Sequence, residues 1–429
     1  MKERIINLFW LCLEQGGRIL SSFLITILIV KHLGVEQFGS FSLALAILTA
    51  LGPFAGLGFD SILFKKFISN EGDEKTLLGI SCFSRLFIAL SIISLTTLIN
   101  LSSNAVYINL LNILVLGFLF DSFLAFKDYF LANLKNKFYT FSTFVSAVIQ
   151  LALVYTLVQK NASIEYFAWS YVLTKFIQAL VLTCSYYKIR QSLIFPIWNK
   201  ELSRKLVIES YPMMLAASIG LLYSLQDQFF IKYFLGEYEL GLYSVGIKFI
   251  LILIVLPTLI SNVFYPSLVK KFHSNNIEIY NNQLQAIYLL FFILGLLLFA
   301  LMYFSSGIII EKLFGTDFER SSSIMEIYSI LLVVSFFQSL NNKILILNDL
   351  QSVIFKRAVF ALITNAILNF FLIPKFGIKG AAYSTVLSEM LVLISYSFRK
   401  DTRFIFNHQM RAIFFVNLFK IEIIRSIKR

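Results

Sequence analysis

The chain has 429 residues, of which 58% are hydrophobic and only 14% are charged. So few polar groups cannot cover the surface of a soluble protein of this size, which excludes a soluble enzyme or binding domain. The net charge of +13 would suit nucleic acid, but the basic residues occupy short segments between long apolar runs. The composition therefore predicts an integral membrane protein with no nucleic-acid partner.

The apolar runs recur along the whole chain, and each is long enough to cross a bilayer core of about 30 Å. They predict twelve transmembrane helices over 7–30, 39–64, 77–99, 106–126, 138–159, 164–187, 207–234, 241–269, 283–304, 324–347, 355–373 and 380–398. The predicted fold class is an all-α integral membrane protein with short loops.

One phrase occurs twice in the chain. Residues 33–42 read LGVEQFGSFS and residues 235–244 read LGEYELGLYS, with two glycines five residues apart in each copy. The period is too long for a solenoid, so it indicates a duplicated half-protein. Duplicated halves are typical of carriers, whose site lies where the halves meet. We therefore expect two pseudo-symmetric six-helix bundles around a central cavity.

The duplication predicts four segments. Residues 1–190 form the N-terminal six-helix bundle, 191–206 a cytoplasmic linker and 207–398 the C-terminal six-helix bundle. Residues 399–429 form a basic amphipathic tail, expected to lie on the anionic inner leaflet.

Basic residues are distributed asymmetrically among the predicted loops. The even-numbered loops and both termini hold 25 of the 37 lysines and arginines, whereas the opposite side holds 6. The positive-inside rule then places both termini in the cytoplasm.

Ionisable residues inside predicted helices are the strongest indication of a functional site. Each costs about 2.5–3.5 kcal/mol at the bilayer centre, so it is expected to face a cavity or a partner. Arg18, Lys175 and Lys248 are the predicted cations of the central cavity, where they would bind an anionic substrate.

Two acidic residues, Asp227 and Glu389, are candidates for coupling transport to an ion gradient. Asp227 and Lys248 share a depth in antiparallel neighbouring helices, which predicts an ion pair, either structural or exchanging during transport. Pro257 interrupts the backbone hydrogen bonds of the eighth predicted helix and is expected to kink it. The kink either gates the cavity or only shapes it.

Other charged residues suit structural pairs. Glu14 and Arg18 lie four residues apart, so an intrahelical ion pair competes with a substrate-facing role for Arg18. Arg85 and Asp121 lie at similar depths in the third and fourth helices and are expected to pair. Asp60 is expected to reach the interface from a helix end.

Metal and cofactor sites are not predicted. The three cysteines lie inside apolar segments, which favours neither disulfides nor metal binding. The three histidines lie in or near loops, so a buried histidine relay is not expected. No soluble catalytic domain and no ATP-binding loop interrupts the predicted helices.

Three segments resemble the Wzx-type flippases of the multidrug/oligosaccharidyl-lipid/polysaccharide exporter superfamily. The first runs from Gly34 to Asp60 and contains GLGFD; the second runs from Asp227 through the repeated phrase to Pro266. The third, 368–389, reads LNFFLIPKFGIKGAAYSTVLSE.

The resemblance implies a transporter, not an enzyme. Its substrate would be an undecaprenyl-diphosphate-linked oligosaccharide, moved from the inner to the outer leaflet of a bacterial inner membrane for O-antigen or capsule synthesis. Partners would be membrane lipids and, in the same pathway, a polysaccharide polymerase and a chain-length regulator. Two alternatives remain open: a cation-coupled multidrug exporter of the same superfamily, and a multispanning polysaccharide polymerase.

Overall fold

The computed structural model describes residues 2–69, 73–103, 105–191, 199–273 and 277–415. Within these residues every regular element is a helix. Among them, eleven helical segments are long and apolar enough to cross a membrane. The first, Leu13–Ser69, breaks at Gly34 and so contains two of the predicted spans, which reconciles the eleven segments with twelve predicted helices. The predicted all-α membrane fold is confirmed.

The helices lie in chain order as follows. The first eight are α1 (Lys2–Gly56), α2 (Phe59–Ser69), α3 (Glu74–Ser102), α4 (Val106–Leu114), α5 (Gly117–Asp121), α6 (Ala125–Ala132), α7 (Asn136–Gln159) and α8 (Ile164–Arg190). The remaining eight are α9 (Lys200–Leu235), α10 (Glu237–Leu253), α11 (Val255–Phe272), α12 (Ile277–Phe314), α13 (Ser321–Leu347), α14 (Gln351–Phe376), α15 (Ile378–Ile394) and α16 (Arg403–Ile413).

The chain divides into two compact units, Met1–Leu225 and Gln226–Arg429. The division falls inside α9, because the N-terminal part of that helix packs within the first unit. Leu206 is fully buried in the apolar cluster formed by α2, α3, α6 and α8, and Glu209 forms an ion pair with Lys66 at 3.2 Å. Residues 192–198 of the predicted linker lie outside the described residues, so the role of 191–206 stays a prediction.

The repeated phrase has the same backbone conformation in both copies. Gly34 has φ 71° and ψ −177°, and Gly236 has φ 90° and ψ −172°. Essentially only glycine populates this region, because a Cβ atom would clash with the backbone. In each copy the glycine ends one helix and begins the next. The duplicated sequence therefore encodes a duplicated helix-to-helix junction.

The fourth predicted span is broken. It consists of α4, α5, a 3₁₀ turn at Ser122–Leu124 and α6, and it continues to Ala132, beyond the predicted end at residue 126. Breaks of this kind within a span are tolerated where protein buries the freed backbone groups, and they often mark functional positions. Here the broken span carries Asp121, Lys127 and Asp128.

The eighth predicted span is also interrupted, at Ile254 between α10 and α11. Pro257 lies in the first turn of α11 and is buried. A proline nitrogen cannot donate to the carbonyl four residues earlier, here that of Leu253, which is the last residue of α10. The interruption therefore lies where Pro257 removes the hydrogen bond. A gating role for Pro257 stays a prediction.

The tail begins with a helix that packs on its own unit. In α16, Ile405, His408, Gln409 and Ala412 are buried against α12. Residues 416–429 of the predicted amphipathic tail lie outside the described residues, so its expected place on the inner leaflet stays a prediction.

Candidate functional site

Glu14 and Arg18 form an ion pair along α1. The distance from Arg18 Nε to Glu14 Oε1 is 3.4 Å, and Arg18 also donates to Gln15 Oε1 at 2.7 Å. Glu14 is buried, whereas the Arg18 side chain is 57% exposed. The Arg18 guanidinium is thus partly neutralised by Glu14 and still accessible. The ion pair with Glu14 therefore does not exclude a substrate-facing role for Arg18.

The first unit contains a network of four charged residues. Asp60 accepts hydrogen bonds from Arg85 at 2.6 Å and from Lys127 at 2.9 Å. Both cations also lie 3.7 Å from Asp128. Arg85 and Asp128 are almost fully buried, at 3% and 2% exposure. Two positive and two negative charges balance, which is how buried charges are retained at tolerable cost.

The expected Arg85–Asp121 pair is wrong. Arg85 pairs with Asp60 and Asp128, and Asp121 instead accepts from Lys175 Nζ at 2.9 and 3.2 Å. Depth along two helices gives the height of each side chain but not the direction in which it points. Asp60, expected at the interface, is a full member of the network. Lys175, predicted to be a cavity cation, has its charge balanced by Asp121.

The second unit holds a carboxylate surrounded by neutral donors. Asp227 is 5% exposed. Its Oδ2 accepts from Tyr243 at 2.6 Å, Tyr328 at 2.9 Å and Thr385 at 2.6 Å. Its Oδ1 accepts from Asn369 Nδ2 at 2.6 Å. We call these five residues, together with Asn365, the Asp227 cluster.

Asn365 completes the cluster between α14 and α15. In one amide orientation its Nδ2 donates to Thr385 at 3.0 Å; in the reverse orientation Nδ2 lies 3.0 Å from Asp227 Oδ1, and Oδ1 accepts from the Thr385 hydroxyl. The first orientation leaves the Thr385 hydroxyl free to donate to Asp227 Oδ2, and in it Asn365 Oδ1 accepts from Asn369 Nδ2 at 2.8 Å. Asn369 Oδ1 is buried and accepts no hydrogen bond. The cluster thus offers an unused oxygen beside the carboxylate.

Four elements besides α9 hold the cluster together. Tyr243 comes from α10, Tyr328 from α13, the two asparagines from α14 and Thr385 from α15. The tyrosines are brought together by a close approach of α10 to α13, where a Cβ on Gly246 would lie 2.7 Å from Ile324 Cβ. Ser321 also donates to the Leu242 carbonyl at 2.7 Å. A glycine at this position is therefore what allows both hydroxyls to reach one carboxylate oxygen.

The expected Asp227–Lys248 ion pair is wrong. All hydrogen-bond donors to Asp227 are neutral, and no carboxylate of the described residues forms an ion pair with Lys248. Lys248 lies five residues after Tyr243 on α10. At about 100° of rotation per residue, the two side chains point in directions differing by roughly 140°. Lys248 is partly buried and has no carboxylate partner among the described residues.

Glu389, the second acidic candidate, lies on α15 and is partly buried. It accepts a hydrogen bond from Gln338 on α13. It is one helical turn further along α15 than Thr385, so it lies near the Asp227 cluster without belonging to it.

His408 is buried in α16, contrary to the expectation that the histidines lie in or near loops. Gln285 Nε2 donates to the His408 carbonyl, so Gln285 Oε1 accepts from His408 Nδ1 at 2.8 Å. The ring stacks on Tyr288. Burial, assisted by the charge of Arg411, lowers the pKa of His408 to about 4. The neutral imidazole is the form that docks α16 on α12.

Sequence reasoning missed several residues of these clusters. Asp128 lay beyond the predicted end of the fourth helix, and Tyr243 and Tyr328 carry no charge to mark them. Asn365 and Asn369 were recognisable as polar residues four apart on one face of an apolar helix. In sequence, however, such residues are indistinguishable from those that only hydrogen-bond neighbouring helices.

Comparison with known proteins places the chain in a family. A family model described as polysaccharide biosynthesis protein matches residues 5–272, more than half of the chain. No curated protein sequence matches the chain significantly.

Solved structures share the fold over nearly the full length. A lipid II flippase MurJ in an inward closed conformation is 14% identical, with 98% of this chain and 96% of that chain covered and a TM-score of 0.73. An inward-facing multidrug resistance MATE family transporter of the MOP superfamily is 13% identical, with coverages of 92% and 94% and a TM-score of 0.60. A MOP superfamily transporter from Pyrococcus furiosus is 13% identical, with coverages of 95% and 95% and a TM-score of 0.60.

Identities this low establish the fold and not the substrate. The family match adds the link to polysaccharide synthesis and agrees with the resemblance of the three sequence segments. The chain therefore belongs to the polysaccharide biosynthesis protein family and has the all-α membrane fold of the MOP superfamily transporters.

Proposed function

We propose that this protein is a flippase that moves undecaprenyl-diphosphate-linked oligosaccharide repeat units from the inner to the outer leaflet by alternating access. The product feeds O-antigen or capsule synthesis. The family match supports the pathway. The fold shared with a lipid II flippase supports the type of cargo, a sugar carried on a lipid.

The lack of a carboxylate partner for Lys248 among the described residues is the observation on which the proposal depends. A positive charge in a membrane helix is costly unless something balances it, and no carboxylate of the described residues does so here. A diphosphate is a suitable partner, because a lysine ammonium binds phosphate as a compact point charge. Arg18 and Lys175 would join it by exchanging Glu14 and Asp121 for phosphate oxygens. A common cavity for the three cations stays a prediction.

The Asp227 cluster supports coupling to an ion gradient. A buried carboxylate with only neutral donors changes its charge when it takes up one proton. The Asp227 cluster also resembles a binding site for a hard monovalent cation such as Na⁺. Carboxylate, amide and hydroxyl oxygens converge there, and Asn369 Oδ1 accepts no hydrogen bond. Binding of either ion would require the tyrosine and threonine hydroxyls to reorient. Such a change would alter the contacts of α10, α13 and α15 with α9. Glu389 is the second candidate for this role.

The drug-exporter alternative is disfavoured by the first unit. In that unit Asp60 and Asp128 are balanced by Arg85 and Lys127, and Asp121 by Lys175, so none of these carboxylates is available to a cationic drug. The polymerase alternative finds no support in the fold, which is shared with a flippase and a multidrug transporter.

The proposed location is a bacterial inner membrane, with both termini in the cytoplasm, following the asymmetry of the basic residues. The pathway implies a polysaccharide polymerase and a chain-length regulator as neighbours in the membrane, whether or not they contact this protein.

Deletion of the gene tests the proposal. We expect undecaprenyl-diphosphate-linked repeat units to accumulate on the inner leaflet, protected from reagents added outside intact cells, and surface polysaccharide to be lost. Plasmid-borne protein should restore both, with resistance to cationic drugs unchanged throughout. Loss of drug resistance with normal surface polysaccharide would instead support the exporter alternative.

A further inference from the structure

The first unit contains a trough between α1, α7 and α8. Its main cavity has a volume of about 870 Å³ and walls that are largely apolar. Phe141 and Phe144 of α7 and Leu180 of α8 line it and are exposed. Because these side chains lie on membrane-spanning helices, the trough suits a hydrocarbon chain.

One end of the trough is basic. Lys137 and Lys188 line the main cavity, and an adjoining cavity of about 490 Å³ shares Lys137 and adds Lys135. None of the described residues lining these two cavities is acidic, and none of the three lysines forms an ion pair within the described part of the chain. Lys137 Nζ lies over the ring of Phe138, 5.0 Å from its centroid. The end therefore presents up to three unbalanced positive charges.

The other end continues along α1 and α7. A narrower cavity of about 190 Å³ shares Leu13 and Phe144 with the main one and reaches Leu151. Lys137 and Leu151 are fourteen residues apart on α7, which corresponds to a length of roughly 21 Å at 1.5 Å per residue. This extension includes the Glu14–Arg18 ion pair, whose charges balance. The trough is thus long, narrow, apolar along its length and cationic at one end.

We propose that this trough binds the carrier lipid of the substrate, a polyprenyl diphosphate, with its isoprenoid chain along α7 and its diphosphate at Lys135, Lys137 and Lys188. The charge pattern favours this occupant over a phospholipid. A diphosphate carries at least two negative charges on one chain, which matches a cluster of lysines at the end of a single channel. A phosphatidylglycerol carries one negative charge on two chains. The inference rests on the proposed function. It adds a lipid-binding site whose lining includes neither Lys248 nor Asp227.

Cys184 provides a native probe. It lines the main cavity and is exposed, whereas Cys82 is buried. The full-length protein is placed in nanodiscs of phosphatidylcholine, and the rate of maleimide labelling at Cys184 is measured by peptide mass spectrometry. The additives, at equal mole fractions, are undecaprenyl diphosphate, undecaprenol and phosphatidylglycerol.

Undecaprenyl diphosphate should slow labelling of Cys184 about tenfold, and the other two lipids less than about twofold, because only the first satisfies both ends of the trough. The double variant Lys137→Gln/Lys188→Gln should need about ten times more of this lipid for equal protection. The matched variant Lys65→Gln/Lys160→Gln, which removes two exposed lysines outside the trough, should behave as the unmodified protein.

Two results would overturn the inference: equal protection by phosphatidylglycerol, or no protection by undecaprenyl diphosphate. If protection fails while gene deletion still traps repeat units on the inner leaflet, the trough is not the lipid site and the flippase function stands. If protection is seen but deletion traps nothing, the trough binds the lipid and the proposed function is wrong.

Discussion

Asn369 donates through Nδ2 to Oδ1 of Asp227 over 2.6 Å, a hydrogen bond between two buried side chains that joins α14 to the end of α9. Asp227 thereby has neutral donors on both oxygens and, in the described part of the chain, no positive partner. We propose that a proton or a small cation binds at this carboxylate during transport, because its donors are all uncharged.

The variant Asp227→Asn tests this arrangement. The amide has the same shape and a fixed neutral charge, so we expect the free energy of unfolding to change by only about 1 kcal/mol while ion-coupled transport is lost. Transport is measured as surface polysaccharide and protein level as membrane abundance. Asp317→Asn, at an exposed position, is the control. Normal polysaccharide in the Asp227→Asn strain would exclude Asp227 from coupling.

The variant Lys248→Gln tests the role of the unbalanced cation. Loss of one charge-assisted contact to phosphate should raise the half-saturating concentration of lipid-linked substrate about tenfold. The protein should be as stable as before or more so, since an unbalanced charge is removed from a membrane helix. Lys343→Gln, which removes a lysine lying over the ring of Tyr265, is the matched control. Unchanged affinity in Lys248→Gln would remove Lys248 from the substrate site.

The charge network of the first unit predicts a structural effect. Arg85→Met leaves Asp128 buried without its guanidinium, which should cost about 3 kcal/mol or more of unfolding free energy. The double variant Arg85→Met/Asp128→Leu removes both charges and should recover much of that loss. Thermal unfolding in detergent measures both. A single variant as stable as the double variant would mean that the network is not balanced as described.

The helix α16 should undock in acid. Burial lowers the pKa of His408 from 6.5 to about 4, so the docked form binds fewer protons than the undocked form between these values. Docking is therefore fully stable above the ordinary pKa and weakens as the pH falls toward 4, by up to about 3 kcal/mol.

Hydrogen exchange of the amides of 403–413 measures this effect. After correction for the intrinsic rate, exchange should become faster as the pH is lowered from about 7.5 to about 5. In His408→Gln, which cannot be protonated, the corrected exchange should be independent of pH. An equal pH dependence in both proteins would assign the effect to another group.

Sequence reasoning reached the helices, the repeated junction and the buried ionisable residues, because each depends on local properties: apolar length, glycine spacing and depth in a span. It did not identify the correct ion-pair and hydrogen-bond partners of these residues. Asp227 and Lys248 share a depth, as do Arg85 and Asp121, but pairing also needs the rotation of each helix about its axis. That rotation is set by packing, for example by the close approach at Gly246. The Asp227 cluster draws on five helices, and no local pattern predicts their convergence.

The most direct test of ion-coupled flipping reconstitutes the purified protein in liposomes with a labelled undecaprenyl-diphosphate oligosaccharide. We expect labelled lipid to cross to the opposite leaflet faster when a proton or sodium gradient is imposed, and Asp227→Asn to abolish the acceleration. The gradient that accelerates transport identifies the ion. Liposomes that export a cationic drug under the same gradient, while the lipid-linked oligosaccharide stays on its original leaflet, would contradict the account.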